Sequence, residues 1–167
     1  MAMIILQVVG YQNSGKTTLI EKVIQRLCEI GYRVGTLKHH GHEGKVTLPK
    51  EKDTTRHAQA GAAVCAVEGD GTFFLHAKGN WTLNELISLY KTFPLDVLLI
   101  EGFKHASYPK IVCLRSREDE PLLHLENVLM SISWQRMDGS FFIEDEQVYI
   151  DHIISYVKEE QHVRDRS

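Results

Sequence analysis

The stretch GYQNSGKTT, residues 10–18, set directly after the apolar run MIILQVV, constrains this chain more than any other feature. Gly10-x-x-x-x-Gly15-Lys16-Thr17 has the spacing of a phosphate-cradling loop. Such a loop needs a buried strand feeding it and a helix leaving it. Both can be read locally. Met3–Val9 is a short apolar run ended by Gly10. From Lys16 to Ile30, the residues Leu19, Ile20, Val23, Ile24 and Leu27 recur at helical spacing, and Gly31 supplies a stop. Tyr32–Lys38 reads as a second strand, which makes a β-α-β crossover and therefore a parallel pair.

The residue types suit the chemistry. An anion needs converging donors with no side chains in the way, and Gly10 and Gly15 let backbone N–H groups point inward. The helix opening near Lys16 adds its own N–H groups and the positive end of its dipole. Lys16 offers a mobile charge to β- and γ-phosphates, the Thr17 hydroxyl is placed for Mg²⁺, and Thr18 faces the α-phosphate side. By average residue usage this pattern occurs by chance in roughly one of two hundred chains of this size. Its position between strand and helix is the confirming context, so we expect a nucleoside triphosphate site.

The rest of the chain fits one α/β domain. HHGHEGKVTLPKEK, from His39 on, predicts a long, mobile loop, and Asp53–Ala60 a short helix stopped by Gly61. AVCAVEGDGTFFLHA predicts two strands turning at Asp70-Gly71. WTLNEL has the form of a capping box, with Thr82 at the cap, Glu85 three residues on, and Trp81 stapling to Leu86, and its helix runs to about Tyr90. Asp96–Ile100, Lys110–Leu114 and Val128–Ile132 read as further strands. A last helix follows Glu144–Glu146, with Val148, Tyr149, His152, Ile153, Tyr156 and Val157 on its apolar face. Continuous apolar strands alternating with helices predict a three-layer, P-loop-like fold with a mainly parallel sheet, spanning residues 1–160 and leaving 161–167 as a frayed tail.

Composition narrows the function. With 43% apolar residues, 25% charged residues and a net charge of −3, the 167-residue chain has no general appetite for nucleic acid or anionic membrane. Cys28, Cys65 and Cys113 lie far apart in apolar stretches, which suits reduced core thiols in a cytoplasmic protein.

Magnesium calls for an acidic group at the carboxyl edge of a neighbouring strand. In DVLLIEG, Asp96 begins the strand and Glu101 ends it, so geometry favours Glu101. Asp53 suits either an N-cap or a second Mg²⁺ or water ligand, with Arg56 neutralising phosphate charge. Lys104 either faces an anionic ligand or is solvated. Lys38, His39, His40 and His42 follow the second strand, where a metal, a second phosphate-bearing ligand, or plain solvent are the three readings. RSREDE, residues 115–120, either sets Asp119 or Glu120 against a guanine amino group or is a solvated charge run.

Taken together, GYQNSGKTT, KHHGH, DTTRHAQAGA, DVLLIEGFKH and PKIVCLR resemble, in order and spacing, the MobB family of molybdopterin-guanine dinucleotide biosynthesis proteins. The resemblance runs from the first strand to about Arg115, and IEGFK and DTTRHAQAGA are its most specific parts. It implies a cytoplasmic homodimer that binds GTP with Mg²⁺, hydrolyses it slowly, and assists the nucleotidyltransferase joining GMP to molybdopterin. By match of motif, Gly10, Asn13, Ser14, Gly15, Lys16, Thr17 and Thr18 hold phosphates, Thr17 and Glu101 hold magnesium, and Asp53 with Arg56 lies near the γ-phosphate. KHHGHEG departs from the family in being poorer in His and Asp, and no N-K-x-D guanine element is present, so GTP over ATP rests on the resemblance.

Two other readings compete. Glu-Gly after an apolar strand also resembles dethiobiotin synthetase, an ATP-dependent ligase, although Phe103, Lys104 and His105 replace its small, glycine-rich turn. A nucleotide-gated metal-delivery scaffold would use His39, His40 and His42.

Overall fold

In the computed structural model, which describes residues 3–39 and 53–166, the apolar runs become strands of one sheet. These are β1 (Ile4–Val9), β2 (Val34–Lys38), β5 (Val97–Glu101), β6 (Lys110–Leu114), β7 (Val128–Ser133) and β8 (Phe141–Phe142). Their order is β2-β5-β1-β6-β7-β8, and every pairing is parallel. The chain divides into two compact units, one of residues 1–39 and 87–167 and the other of residues 40–86. The parallel sheet belongs to the first.

Val97 to Ile100 are all 1% exposed or less, so both faces of β5 are covered. That is why the strand reads as a continuous apolar run, and it makes the unit three layers deep. On one face, α1 (Lys16–Glu29) and α4 (Glu146–Asp165) bury Leu19, Val23, Leu27, Ile150 and Ile153 against Leu6, Val8, Leu99 and Ile111. On the other, a 3₁₀ segment (Arg117–His124) places Leu122 over Val9, Val112 and Leu114. On that same face, Tyr90 packs over Gly35, where an added Cβ would come within 3.2 Å of its ring.

The link from β5 to β6 is only residues 102–109, because β6 starts level with Gln7 while β5 ends level with Val8. Two buried polar side chains hold this link. Gln7 donates from Nε2 to Gly102 O and Phe103 O, each at 3.0 Å. Lys110, 0% exposed, donates from Nζ to Ala106 O (2.8 Å), to Tyr108 O (2.9 Å) and to Glu126 O. Burial pulls its ammonium below the ordinary lysine value, and the three carbonyls keep it charged and satisfied.

The second unit contains α2 (Asp53–Gln59) and the antiparallel hairpin β3 (Val64–Gly69) and β4 (Thr72–Ala77). Asp70 (φ 51°) and Gly71 (φ 70°) form its two-residue turn, the left-handed pair that matches strand twist. Ahead of α3 (Leu83–Tyr90) the capping box forms: Glu85 accepts from Thr82 N at 2.8 Å, and Thr82 Oγ1 accepts from Glu85 N at 3.3 Å. Trp81 donates its indole N–H to Ala77 O at 3.3 Å.

Four expectations change. The buried face of α4 is Tyr149, Ile150, Ile153, Ile154 and Val157, while Val148 is 59% exposed. Two overlapping stripes share Tyr149, Ile153 and Val157, and the one completed by isoleucines buries more apolar surface than the one completed by Val148 and His152. The helix also runs past Glu160 to Asp165, held by Gln161 to Asp165 at 2.9 Å and by Arg164 donating to Met3 O at 2.8 Å. Cys28 is exposed, whereas Cys65 and Cys113 are buried. The 3₁₀ segment and β8 are additions that the sequence did not suggest. The loop expected over residues 39–52 lies outside the described residues from His40 on.

Candidate phosphate-binding site

The loop after β1 owes its shape to three residues. Gly10 is pressed against its surroundings, since a Cβ there would meet Ser14 Oγ at 2.4 Å and Cys113 O at 2.7 Å. Asn13 (φ 59°) and Gly15 (φ 88°) turn the chain through the left-handed region. Leu19 N then donates to Gly15 O at 3.0 Å, opening α1. Among the described residues no side chain caps this helix, whose N-cap is Gly15, and its first turn carries no acidic residue, in contrast to the boxed start of α3. The N–H groups at its mouth therefore keep their positive field for an anion.

Lys16 lies over the loop, donating from Nζ to Tyr11 O at 2.6 Å and Ser14 Oγ at 3.4 Å. Burial draws its ammonium below the ordinary lysine value, and the Glu101 charge pulls it back upward. Cys113, beneath the loop, is pushed up to about 12 by burial, so this thiol stays protonated and unreactive.

Across the loop, Thr17 donates from Oγ1 to Glu101 Oε2 at 3.3 Å. Lys38 Nζ lies 3.0 Å from Glu101 Oε1 and donates to Thr17 Oγ1 at 3.4 Å. The Glu101 side chain is only 12% exposed. Adjacent ligands on an octahedral Mg²⁺ with its short bonds stand about 2.9 Å apart, so the spacing of Thr17 and Glu101 fits a shared magnesium once the Lys38 ammonium, which bridges them here, moves aside. Asp96, at the far end of the strand, is instead tied to Arg33 by bonds of 2.7–3.1 Å, which hold its carboxyl below the usual carboxylate range.

Around this centre, His39 N donates to Glu101 O at 2.9 Å and its ring lies 4.3 Å from that of Phe103. Gly102 (φ 96°) permits this approach, because a Cβ there would meet His39 Cβ at 3.2 Å. Tyr11 is flanked by Lys104 and Arg115, 5.5 and 5.3 Å from its ring centroid. Trp134, just past β7, donates its indole N–H to Ser14 O at 3.3 Å.

Asp53 and Arg56 belong to the second unit, where they pair with each other at 3.8 Å on α2 with side chains more than 80% exposed. His40 and His42 lie outside the described residues. The guanine contact expected of Asp119 needs correction. Its carboxylate is fully buried and accepts from Arg115 N (2.9 Å), Nε (2.9 Å) and Nη2 (2.8 Å), which depresses its pKa and occupies its lone pairs. Gln7 and Trp134 went unnoticed in the sequence. A lone glutamine inside IILQVV was the signal for the first, while nothing in the sequence places Trp134 beside the loop.

The family model for molybdopterin guanine dinucleotide synthesis protein B, MobB, matches residues 5–134. The chain belongs to the MobB family. A Bacillus subtilis relative, a probable molybdopterin-guanine dinucleotide biosynthesis adapter protein, is 45% identical over 163 residues, covering 93% of this chain and 94% of its own. The crystal structure of Bacillus subtilis MobB superposes with a TM-score of 0.81 at 44% identity, over 92% of this chain and 97% of that one. A MobB homologue from Bacillus stearothermophilus gives 0.77 at 37% identity, over 93% and 98%. The MobB match thus spans the loop, Glu101 and Trp134, and the architecture is the three-layer P-loop fold read from the sequence.

Proposed function

We propose that this MobB-family chain binds GTP with Mg²⁺ and acts as an adapter to the nucleotidyltransferase that joins GMP to molybdopterin. Membership of a family whose curated relatives are named as adapters supports the pathway. The observation that carries the nucleotide reading is the pairing of Thr17 with Glu101 beside an uncapped helix start.

In this reading the backbone of Gly10, Asn13, Ser14 and Gly15 holds phosphate oxygens, Lys16 leaves Tyr11 O for the β- and γ-phosphates, and Thr18 serves the α-phosphate. Thr17 and Glu101 hold Mg²⁺, which when bound neutralises charge on the phosphates. The family resemblance assigns Asp53 and Arg56 a role at the γ-phosphate, Asp53 as a further metal or water ligand. The molybdopterin side is assigned from the sequence to Lys38, His39, His40 and His42. Hydrolysis is slow, because the described residues of the site supply positioning and charge rather than a dedicated base. Phe103, ring against His39, stands where a dethiobiotin-synthetase-like pocket would need a small turn, which disfavours that alternative.

The protein works in the cytoplasm as a homodimer. No described helix is long and apolar enough to cross a membrane. Val64, Val67, Phe73, Phe74 and Leu75 of the hairpin are 37–58% exposed, an apolar surface suited to a second copy. Reconstituted GMP transfer to molybdopterin tests the proposal. Adding the wild-type protein with GTP should raise the yield of dinucleotide cofactor, and Lys16→Ala should not. Equal stimulation by both would remove nucleotide binding from the adapter role.

A further inference from the structure

A cavity of about 170 Å³ opens beside the phosphate loop and shares Ser14, Gly15 and Thr18 with it. Its floor is apolar, built from residues such as Leu19, Ile132 and Tyr149, and Trp134 forms one wall. Lys22, which also lines it, is paired with Glu146 and brings a polar donor to the cavity. Pockets that bury a drug-sized molecule run to about 300–1,000 Å³, so this one is sized for a single ring system rather than a larger ligand.

Trp134 is not there merely to fill space. Its indole N–H is spent on Ser14 O, which fixes the plane of the ring against the loop, and a Cβ on Gly15 would lie only 3.6 Å from Nε1. Yet the residue remains 50% exposed. Half of the residue thus stays open beside the anion cradle, an aromatic surface held in orientation by its bond to the loop. One ligand with an anionic end and a flat aromatic end satisfies both halves.

The geometry points to Trp134 and this cavity as the nucleobase subsite of the nucleotide whose phosphates occupy Gly10–Thr18. The inference rests on the nucleotide reading above and adds to it the residue that senses the base. Stacking a base on an aromatic side chain is worth roughly a 5- to 150-fold gain in affinity.

The test uses the full chain, with Mg²⁺ and three probes: GTP, GDP and inorganic tripolyphosphate. In Trp81→Phe, which leaves Trp134 as the sole tryptophan, GTP and GDP should quench its emission and tripolyphosphate should not. Trp134→Ala should weaken GTP and GDP at least 5-fold while moving tripolyphosphate affinity less than 3-fold, and Trp134→Phe should restore most of the loss. Equal losses for GTP and tripolyphosphate would make the indole a loop prop and overturn the subsite, as would unchanged GTP affinity. Tripolyphosphate binding as tightly as GTP would overturn the subsite and leave the phosphate cradle standing. Binding of neither would overturn both.

Discussion

Thr17 Oγ1 and Glu101 Oε2 stand 3.3 Å apart, joining the first turn of α1 to the last residue of β5. They are separated by 84 positions in sequence, and the parallel pairing of β1 with β5 brings them together. Lys38, from the far side of β5, closes the group onto both.

Glu101→Gln therefore removes a hard anionic oxygen where a magnesium ligand is needed and leaves Lys38 without its partner. The Mg²⁺ concentration needed for half-maximal nucleotide binding should rise about tenfold or more, with the far-UV spectrum unchanged. A titration matching wild type would shift the metal role to Asp53.

Asp119 gives a pH-dependent signature. Its folded-state pKa is depressed by hydrogen bonds from Arg115, so the unfolded chain takes up the proton first as pH falls. The stabilisation is full above the unfolded aspartate value, about 3.9, and is lost as pH drops through the lower folded value. Asp119→Asn should lower the melting temperature by roughly 5 °C at pH 7, and the gap to wild type should shrink below about pH 4. A gap independent of pH would assign the loss to packing instead.

Lys110 is a structural cation. Replacing it with Met leaves three carbonyls without their donor, and should cost about 3 kcal/mol in urea unfolding. Because Ala106 and Tyr108 lie in the β5–β6 link, amide exchange should quicken across residues 102–109 first. Full stability in Lys110→Met would mean that other groups or water satisfy those carbonyls.

What could be read from the sequence followed from local chemistry. Apolar runs such as DVLLI reveal buried parallel strands because both of their faces are covered. The phosphate loop, the Asp70-Gly71 turn and the Thr82–Glu85 box are visible because their partners lie within a few residues. REDEPLLH concealed its 3₁₀ segment, since its charge density and Pro121 obscure the buried apolar anchor Leu122. The face of α4 was ambiguous because two stripes compete and only contact with the sheet decides between them. At the site, Glu101 was found from its position at a strand end. Trp134 acts through Ser14, 120 residues away, and no local pattern carries a trace of that; Gln7 bonds carbonyls 95 and 96 residues away, and only its place inside IILQVV hints at a buried role.

The central claim is that the loop binds GTP with magnesium, and calorimetric titration of GTP and ATP against wild type and Lys16→Ala tests it most directly. The account predicts Mg²⁺-dependent binding that favours GTP and is lost in Lys16→Ala. Binding undiminished by that substitution, or a preference for ATP, would contradict it.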